Sequence, residues 1–200
     1  MKIKFLITAL FTFISISAFT QETNNKTREA SIIFYNFQNY GLMYKSGKTD
    51  KKLWRFRAVT GGFGKSQVET SNTTEVTVSN FSFNFSVGRE RRKPINESLN
   101  FVYGIELTSG INYSDNKTIV SNQPISGSQN SNINAGLVGV FGLNYKIKDK
   151  FIIGAELLPS AIYSRSVIDP YSSNSFPRSM DSFRFGFGNN SAMLSVGLRF

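Results

Sequence analysis

The stretch from Ile133 to Ile147, INAGLVGVFGLNYKI, sorts its side chains by parity. Ile133, Ala135, Leu137, Gly139, Phe141, Leu143, Tyr145 and Ile147 take the odd positions, while Asn134, Gly136, Gly142, Asn144 and Lys146 fall among the even ones. Successive side chains of a strand point to opposite faces, whereas a helix repeats every 3.6 residues, so this pattern predicts a strand with one apolar and one small or polar face. Val138 and Val140 depart from it. Leu99 to Tyr113 repeats the separation, with Phe101, Tyr103, Ile105 and Leu107 opposite Asn100, Gly104, Glu106 and Thr108. So does Phe81 to Gly88, where Phe83, Phe85 and Val87 oppose Ser82, Asn84 and Ser86.

Parity alone fits both a soluble sandwich with its apolar face inward and a barrel with that face in lipid. Length favours lipid: these runs exceed the usual strand of about 5–6 residues and reach the roughly 9–11 a tilted strand needs to cross a bilayer. Tyr113, Tyr145 and Tyr163 lie near strand ends, as in the aromatic girdles of membrane barrels. The opposite face carries charge in mid-strand. Glu106 and Glu156 share the polar parity of their strands, Arg55 and Arg57 oppose Trp54, Phe56 and Ala58, and Lys45 opposes Tyr40, Leu42 and Tyr44. With the aromatics in lipid these charges are enclosed, and unpaired charge there is costly. The expectation is an interior network of Arg55, Arg57, Glu106 and Glu156, joined by Lys45 and Arg199.

Short polar connections at 47–52, 91–98 and 148–150 alternate with long Ser/Asn/Thr-rich ones near 64–79, 114–131 and 165–190. Single-chain membrane barrels have this rhythm of short periplasmic turns and longer outer loops. Strands are expected near 29–37, 39–46, 52–63, 80–90, 99–113, 132–147, 150–163 and 192–200. The fold class is therefore all-β, an eight-stranded antiparallel transmembrane β-barrel. A second arrangement joins 31–46 into one strand and makes 182–188 another, but it sends the long loops to the periplasm. In the first, 182–188 extends an outer hairpin, and Gly188 with Asn189 and Asn190 allows the change of parity before Ala192. The short turns then hold Lys48, Lys51, Lys52, Arg91, Arg92, Lys93, Lys148 and Lys150, basic groups placed to meet anionic headgroups of the inner leaflet.

The beginning of the chain reads as an export signal: Lys2 and Lys4, an apolar run from Phe5 to Ile16, then SAFT before Gln21. The expected organisation is a signal peptide at 1–20, an N-terminal periplasmic segment at 21–28 and the barrel at 29–200. Removing the leader lowers the net charge from +10 to +8. Dispersed basic turns on an exported chain speak against nucleic acid as a partner. Cysteine and histidine are both absent, which removes disulfides, thiolate metal sites, serine-histidine triads and most zinc sites. GGFGKS lacks the first glycine of a phosphate-binding loop, where Val59 stands, and no helix follows it. Glu106 and Glu156 as a glycosidase pair would need a cleft that nothing announces. No catalytic residue, metal site or cofactor is indicated, and the expectation is a protein that is not an enzyme.

The chain ends SAMLSVGLRF, with Ala192, Leu194, Val196, Leu198 and Phe200 on one parity and Ser191, Met193, Ser195, Gly197 and Arg199 on the other. This resembles the last strand of small outer-membrane β-barrel proteins of the OmpA/OmpX type. The hairpin FGLNYKIKDKFIIGAEL and the turn GRERRKPINESLNFVYGIEL are similar to that class as well. The resemblance covers nearly all of the exported chain. It implies that Leu194, Val196, Leu198 and Phe200 serve as a signal read by the barrel-assembly machinery, and that the closing strand lies here. It also implies residence in the cell outer membrane, with outer-membrane lipids around a monomer. Eight strands leave room for side chains rather than a channel, so the expected role is structural or adhesive, acting through outer loops on an extracellular or cell-surface partner. The alternatives are a narrow pore for small solutes and a soluble, exported, lipocalin-like barrel with the parity turned inside out.

Overall fold

The computed structural model describes residues 26–35, 39–71, 74–120, 123–148, 150–171, 176–188 and 191–200. The expected signal peptide and residues 21–25 lie outside them. The described residues form ten strands, all antiparallel to their neighbours: β1 Thr27–Tyr35, β2 Asn39–Thr49, β3 Lys52–Ser71, β4 Thr74–Pro94, β5 Leu99–Val120, β6 Gln123–Ile147, β7 Phe151–Leu157, β8 Ser160–Pro170, β9 Arg178–Gly186 and β10 Ala192–Arg199.

Eight strands close a ring. Each of β1 to β6 pairs with the next, β7 pairs with β10, and β10 returns to β1 through Glu29↔Arg199 to Phe34↔Leu194. The backbones of Arg28 and Phe200 bond reciprocally at 3.0 and 3.2 Å, which fixes the last residue against the first strand. The two remaining strands leave the ring: β6 pairs with β7 near its C-terminal end and with β8 along Ser128 to Val138. The break between β7 and β8 falls at Pro159, which has no N–H to give a ladder. The Pro159 carbonyl still accepts from Gly139 N at 2.8 Å, and Leu158 N donates to Ser191 O at 2.7 Å. The expected strand 150–163 is thus two strands that keep one parity, and 182–188 falls largely within β9.

The largest departure from expectation lies in the long connections. Residues 64–71, 74–79, 114–120 and 123–131 continue β3, β4, β5 and β6 as paired strands, and 165–170 continues β8. Both faces of a strand that projects into water can be polar, so the alternation that marks a strand in lipid disappears while the ladder goes on. At the other end the turns are shorter than expected. Arg91, Arg92 and Lys93 belong to β4, Lys48 to β2 and Lys52 to β3. The first strand begins at Thr27, so Thr27 and Arg28, expected in a periplasmic segment, are in the ring.

Candidate functional site

Exposure separates inside from outside along every strand of the ring. Phe83, Phe85, Ile105, Leu107, Leu137 and Leu143 are 42–62% exposed on the outer wall, whereas Arg55, Glu90 and Glu106 are at most 1% exposed within it. The lipocalin-like alternative needs the reverse arrangement. Val138 and Val140, the parity exceptions of their strand, face the lumen and are 6% and 0% exposed.

The lumen is crossed by a cluster centred on Arg55. Its Nη1 donates to Glu90 Oε2 at 2.9 Å and its Nη2 to Glu156 Oε2 at 2.7 Å, while Nε pairs with Glu106. One guanidinium therefore ties β3 to carboxylates on β4, β7 and β5, reaching across the ring with the fork geometry that arginine supplies. Lys45 Nζ lies 2.7 Å from Glu90 Oε2 and 3.4 Å from Glu156 Oε1. Arg57 pairs with Glu106 and donates to the Tyr35 hydroxyl. Arg92 Nε lies 2.7 Å from Glu90 Oε1, and its two terminal nitrogens hold both oxygens of Glu29 at 2.7 and 2.6 Å. Four cations, Lys45, Arg55, Arg57 and Arg92, thus meet four carboxylates, Glu29, Glu90, Glu106 and Glu156. The enclosed charge sums to zero, which is the condition for keeping so many ions out of water.

Glycines make room for it. Gly88 lies in register between Arg55 and Glu106, and a Cβ there would come within 2.7 Å of the Glu106 Cγ. Gly142 does the same for Glu156, with 2.8 Å to its Cγ. Apolar residues cover the charged stems from the next positions in register: Met43 beside Arg57, Val138 beside Glu106, Met193 beside Glu156.

Of the six residues singled out in the sequence, Lys45, Arg55, Arg57, Glu106 and Glu156 meet in this cluster. Arg199 does not. It sits at the turn end, where its guanidinium pairs with Asp50 and lies 3.3 Å from Thr27 Oγ1. Burial would raise the Asp50 carboxyl, but Arg199 and the Thr27 hydroxyl together hold it below the ordinary carboxylate value. Glu29 and Glu90 were not singled out, and Arg92, expected in a basic turn against lipid headgroups, instead points into the lumen between Glu29 and Glu90. The even parity of Asn84, Ser86 and Gly88 runs on through Glu90 and Arg92, but four cations beside a proline make RERRKP read as a turn.

Where β1 and β2 end, the ring opens into a cup. Beyond Thr60, β3 pairs only with β4 among the described residues, and β9 only with β8, so the projecting sheet of β3, β4, β5, β6, β8 and β9 has two free edges. Its concave face holds a cavity of about 730 Å³, floored by Arg57 and Tyr35 and walled by amides and hydroxyls. Ser82, Asn112, Asn132 and Ser166 form one row in register across β4, β5, β6 and β8. Ser82 donates to Asn112, Asn112 Nδ2 to Asn132 Oδ1 at 3.2 Å, and Asn132 Nδ2 to Ser166 Oγ at 2.6 Å. Asn130 Oδ1, in the same wall, has no hydrogen-bond partner among the described residues. A second hollow, an apolar groove of about 580 Å³ between Phe34 and Phe141, lies on the outer wall.

No family model matches this chain, and neither does any curated protein. Solved structures are similar in fold. A major outer membrane protein from Thermus thermophilus aligns at a TM-score of 0.53 and 10% identity, covering 88% of this chain and 98% of that one. Ail, the attachment invasion locus protein of Yersinia pestis, aligns at 0.38 and 16%, covering 88% and 95%. The N-terminal β-barrel domain of Pseudomonas aeruginosa OprF aligns at 0.34 and 16%, covering 88% and 98%. The fold likeness rests on the Thermus protein. An apolar exterior around enclosed charge is the polarity of a barrel in lipid, in keeping with that fold.

Proposed function

We propose that this chain is an eight-stranded transmembrane barrel with a closed lumen, anchoring an outward-projecting sheet that makes contacts at the cell surface. The observation that carries the reading is the pairing of Arg55 with Glu90, Glu106 and Glu156 from three other strands. A guanidinium ion-paired through its three nitrogens to carboxylates of three other strands spans the lumen and fills it with side chains at that height. The plug supports an anchor over a pore for small solutes, and it turns attention to the part of the chain outside the ring. There the polar cup faces one way, and the two edge strands carry Phe63 and Phe185, 86% and 82% exposed. Exposed aromatics beside unpaired sheet edges suit contact with another surface.

In this orientation the turns at 50–51, 95–98 and 148–150 face the periplasm and the hairpins of β3–β4 and β5–β6 face outward. An epitope inserted between Val120 and Gln123 should be reached by antibody on intact cells, and one inserted at 95–98 should not. The purified barrel should give no steady ionic current in planar bilayers. A stable ohmic conductance would refute the closed lumen, and the opposite labelling pattern would refute the orientation.

A further inference from the structure

Down the outer wall of β4 the side chains run Phe83, Phe85, Val87, Arg89, Arg91 and Lys93, all facing away from the lumen. The apolar ladder turns cationic halfway. The next strand does not follow: Arg89, Arg91 and Lys93 lie in register with Ile105, Tyr103 and Phe101 of β5. On the other side Lys52 is in register with Arg91, and Trp54 with Arg89. The Arg89 guanidinium sits 4.7 Å from the centre of the Trp54 ring, and both residues are exposed on the wall that meets lipid. Arg89 lies five residues before the end of β4 at Pro94. At about 3.4 Å per residue and a tilt near 45°, that is roughly 12 Å inside the turn end, at the depth where a leaflet's headgroups give way to acyl chains.

The contrast with the inner wall of the same strands is chemical. Inside, each of the four cations has a carboxylate partner. Outside, Lys52, Arg89, Arg91 and Lys93 have none among the described residues. Among the described residues outside the lumen, the acids at this end are Asp50, which Arg199 engages, and Glu97 in the β4–β5 turn. A lipid-facing arginine without a counter-ion is stable only if its head reaches an anion at the membrane surface.

We propose that the outer wall of β3 and β4 binds an anionic phospholipid of the inner leaflet, with its phosphate among Arg89, Arg91, Lys52 and Lys93 and its acyl chains along Phe85 and Val87. Guanidinium forks grip phosphate oxygens through two N–H bonds each, and four clustered cations suit a headgroup with net negative charge, including one with two phosphates. A zwitterionic headgroup brings its own ammonium into this field and is disfavoured. The leaflet follows from the orientation proposed above; lipid retention on the isolated barrel reads the site independently of antibody access on cells.

The test is native mass spectrometry of the full barrel purified in mild detergent and offered cardiolipin, phosphatidylglycerol, phosphatidylethanolamine or inorganic phosphate. The expected result is retention of the two anionic lipids at least about tenfold above phosphatidylethanolamine, with no adduct from inorganic phosphate alone. Arg89→Gln with Arg91→Gln should abolish that preference, while Lys148→Gln with Lys150→Gln, the same charge loss at another turn, should preserve it. Equal retention of all lipids, a stable inorganic phosphate adduct, or equal loss in both double variants would overturn the assignment. If the first double variant fails to give a heat-modifiable barrel, Arg91→Gln alone is compared with Lys148→Gln. A drop of about threefold or more confined to Arg91→Gln is then expected, and no difference between the two overturns the site.

Discussion

Replacing Arg55 with methionine removes the hub of the buried cluster while keeping an unbranched stem of similar reach. Glu90 retains Lys45 and Arg92, both at 2.7 Å, and Glu106 retains Arg57. Glu156 is left with Lys45 alone, at 3.4 Å. Four buried carboxylates then face three cations. Removing one partner of a buried ion pair costs about 3–5 kcal/mol because the other is left uncompensated, and Arg55 is fully enclosed, so the upper part of that range is expected. Adding Glu156→Gln removes the stranded carboxylate and restores neutrality. The double variant should therefore be more stable than the sum of the two single losses predicts, by about 2 kcal/mol or more. Trp54, the single tryptophan, lies on the outer wall next to Arg55 and reports departure from lipid. Equilibrium unfolding in denaturant from lipid vesicles, followed by its fluorescence, gives each free energy. An Arg55→Met barrel within about 1 kcal/mol of the parent, or strictly additive losses, would refute a cluster held by mutual neutralisation.

Further outcomes test other parts of the molecule. Gly88→Ala should destabilise the barrel by about 1–3 kcal/mol in the same assay, because its Cβ meets Glu106 at 2.7 Å in a packed lumen. Asp50 has a folded pKa below its unfolded one, so its bond to Arg199 stabilises above about pH 4 and is lost as pH falls through the folded value; the stability gap between the parent and Asp50→Asn should be present at neutral pH and close in acid. Phe200→Ser should lower the amount of barrel assembled in cells while protein refolded in vitro keeps nearly full stability, since the ring is 64% exposed and only its backbone bonds to Arg28; an equal loss in both settings would make Phe200 a packing residue instead of an assembly signal.

Parity carried the fold as far as lipid reaches. From Phe81 to Val87 and from Leu99 to Leu107 the membrane demands an apolar residue at every second position, so the ladder can be read off directly. Beyond that height the demand lapses, and β3, β4, β5 and β6 run on through residues such as Thr77, Ser79, Ser114 and Asn116 with little in their hydropathy to show it. The break at Pro159 had a signal in the residue itself. The lumen was partly readable for a related reason: Arg55, Arg57, Glu106 and Glu156 each stand opposite aromatic or aliphatic neighbours, which marks them as enclosed. Glu90 and Arg92 stand opposite Arg89, Arg91 and Lys93, so two walls of the same strand both read as charged and the contrast that reveals an inside is missing.

That same segment shows how one strand serves two solvents. RERRK alternates Arg89, Arg91 and Lys93 outward with Glu90 and Arg92 inward. Inward, Glu90 accepts from three cations on three strands and helps to close the lumen. Outward, the cations have no carboxylate partner among the described residues, and the surrounding lipid can supply the charge they lack. A single-residue slip in the register of β4 would exchange the two walls, putting three cations into a lumen already balanced and a glutamate into hydrocarbon. The charged end of β4 therefore penalises misregistration far more strongly than its apolar half. On this view the sorting of RERRK by sign is what locks β4 between β3 and β5, and the plug and the lipid contact are two consequences of one register.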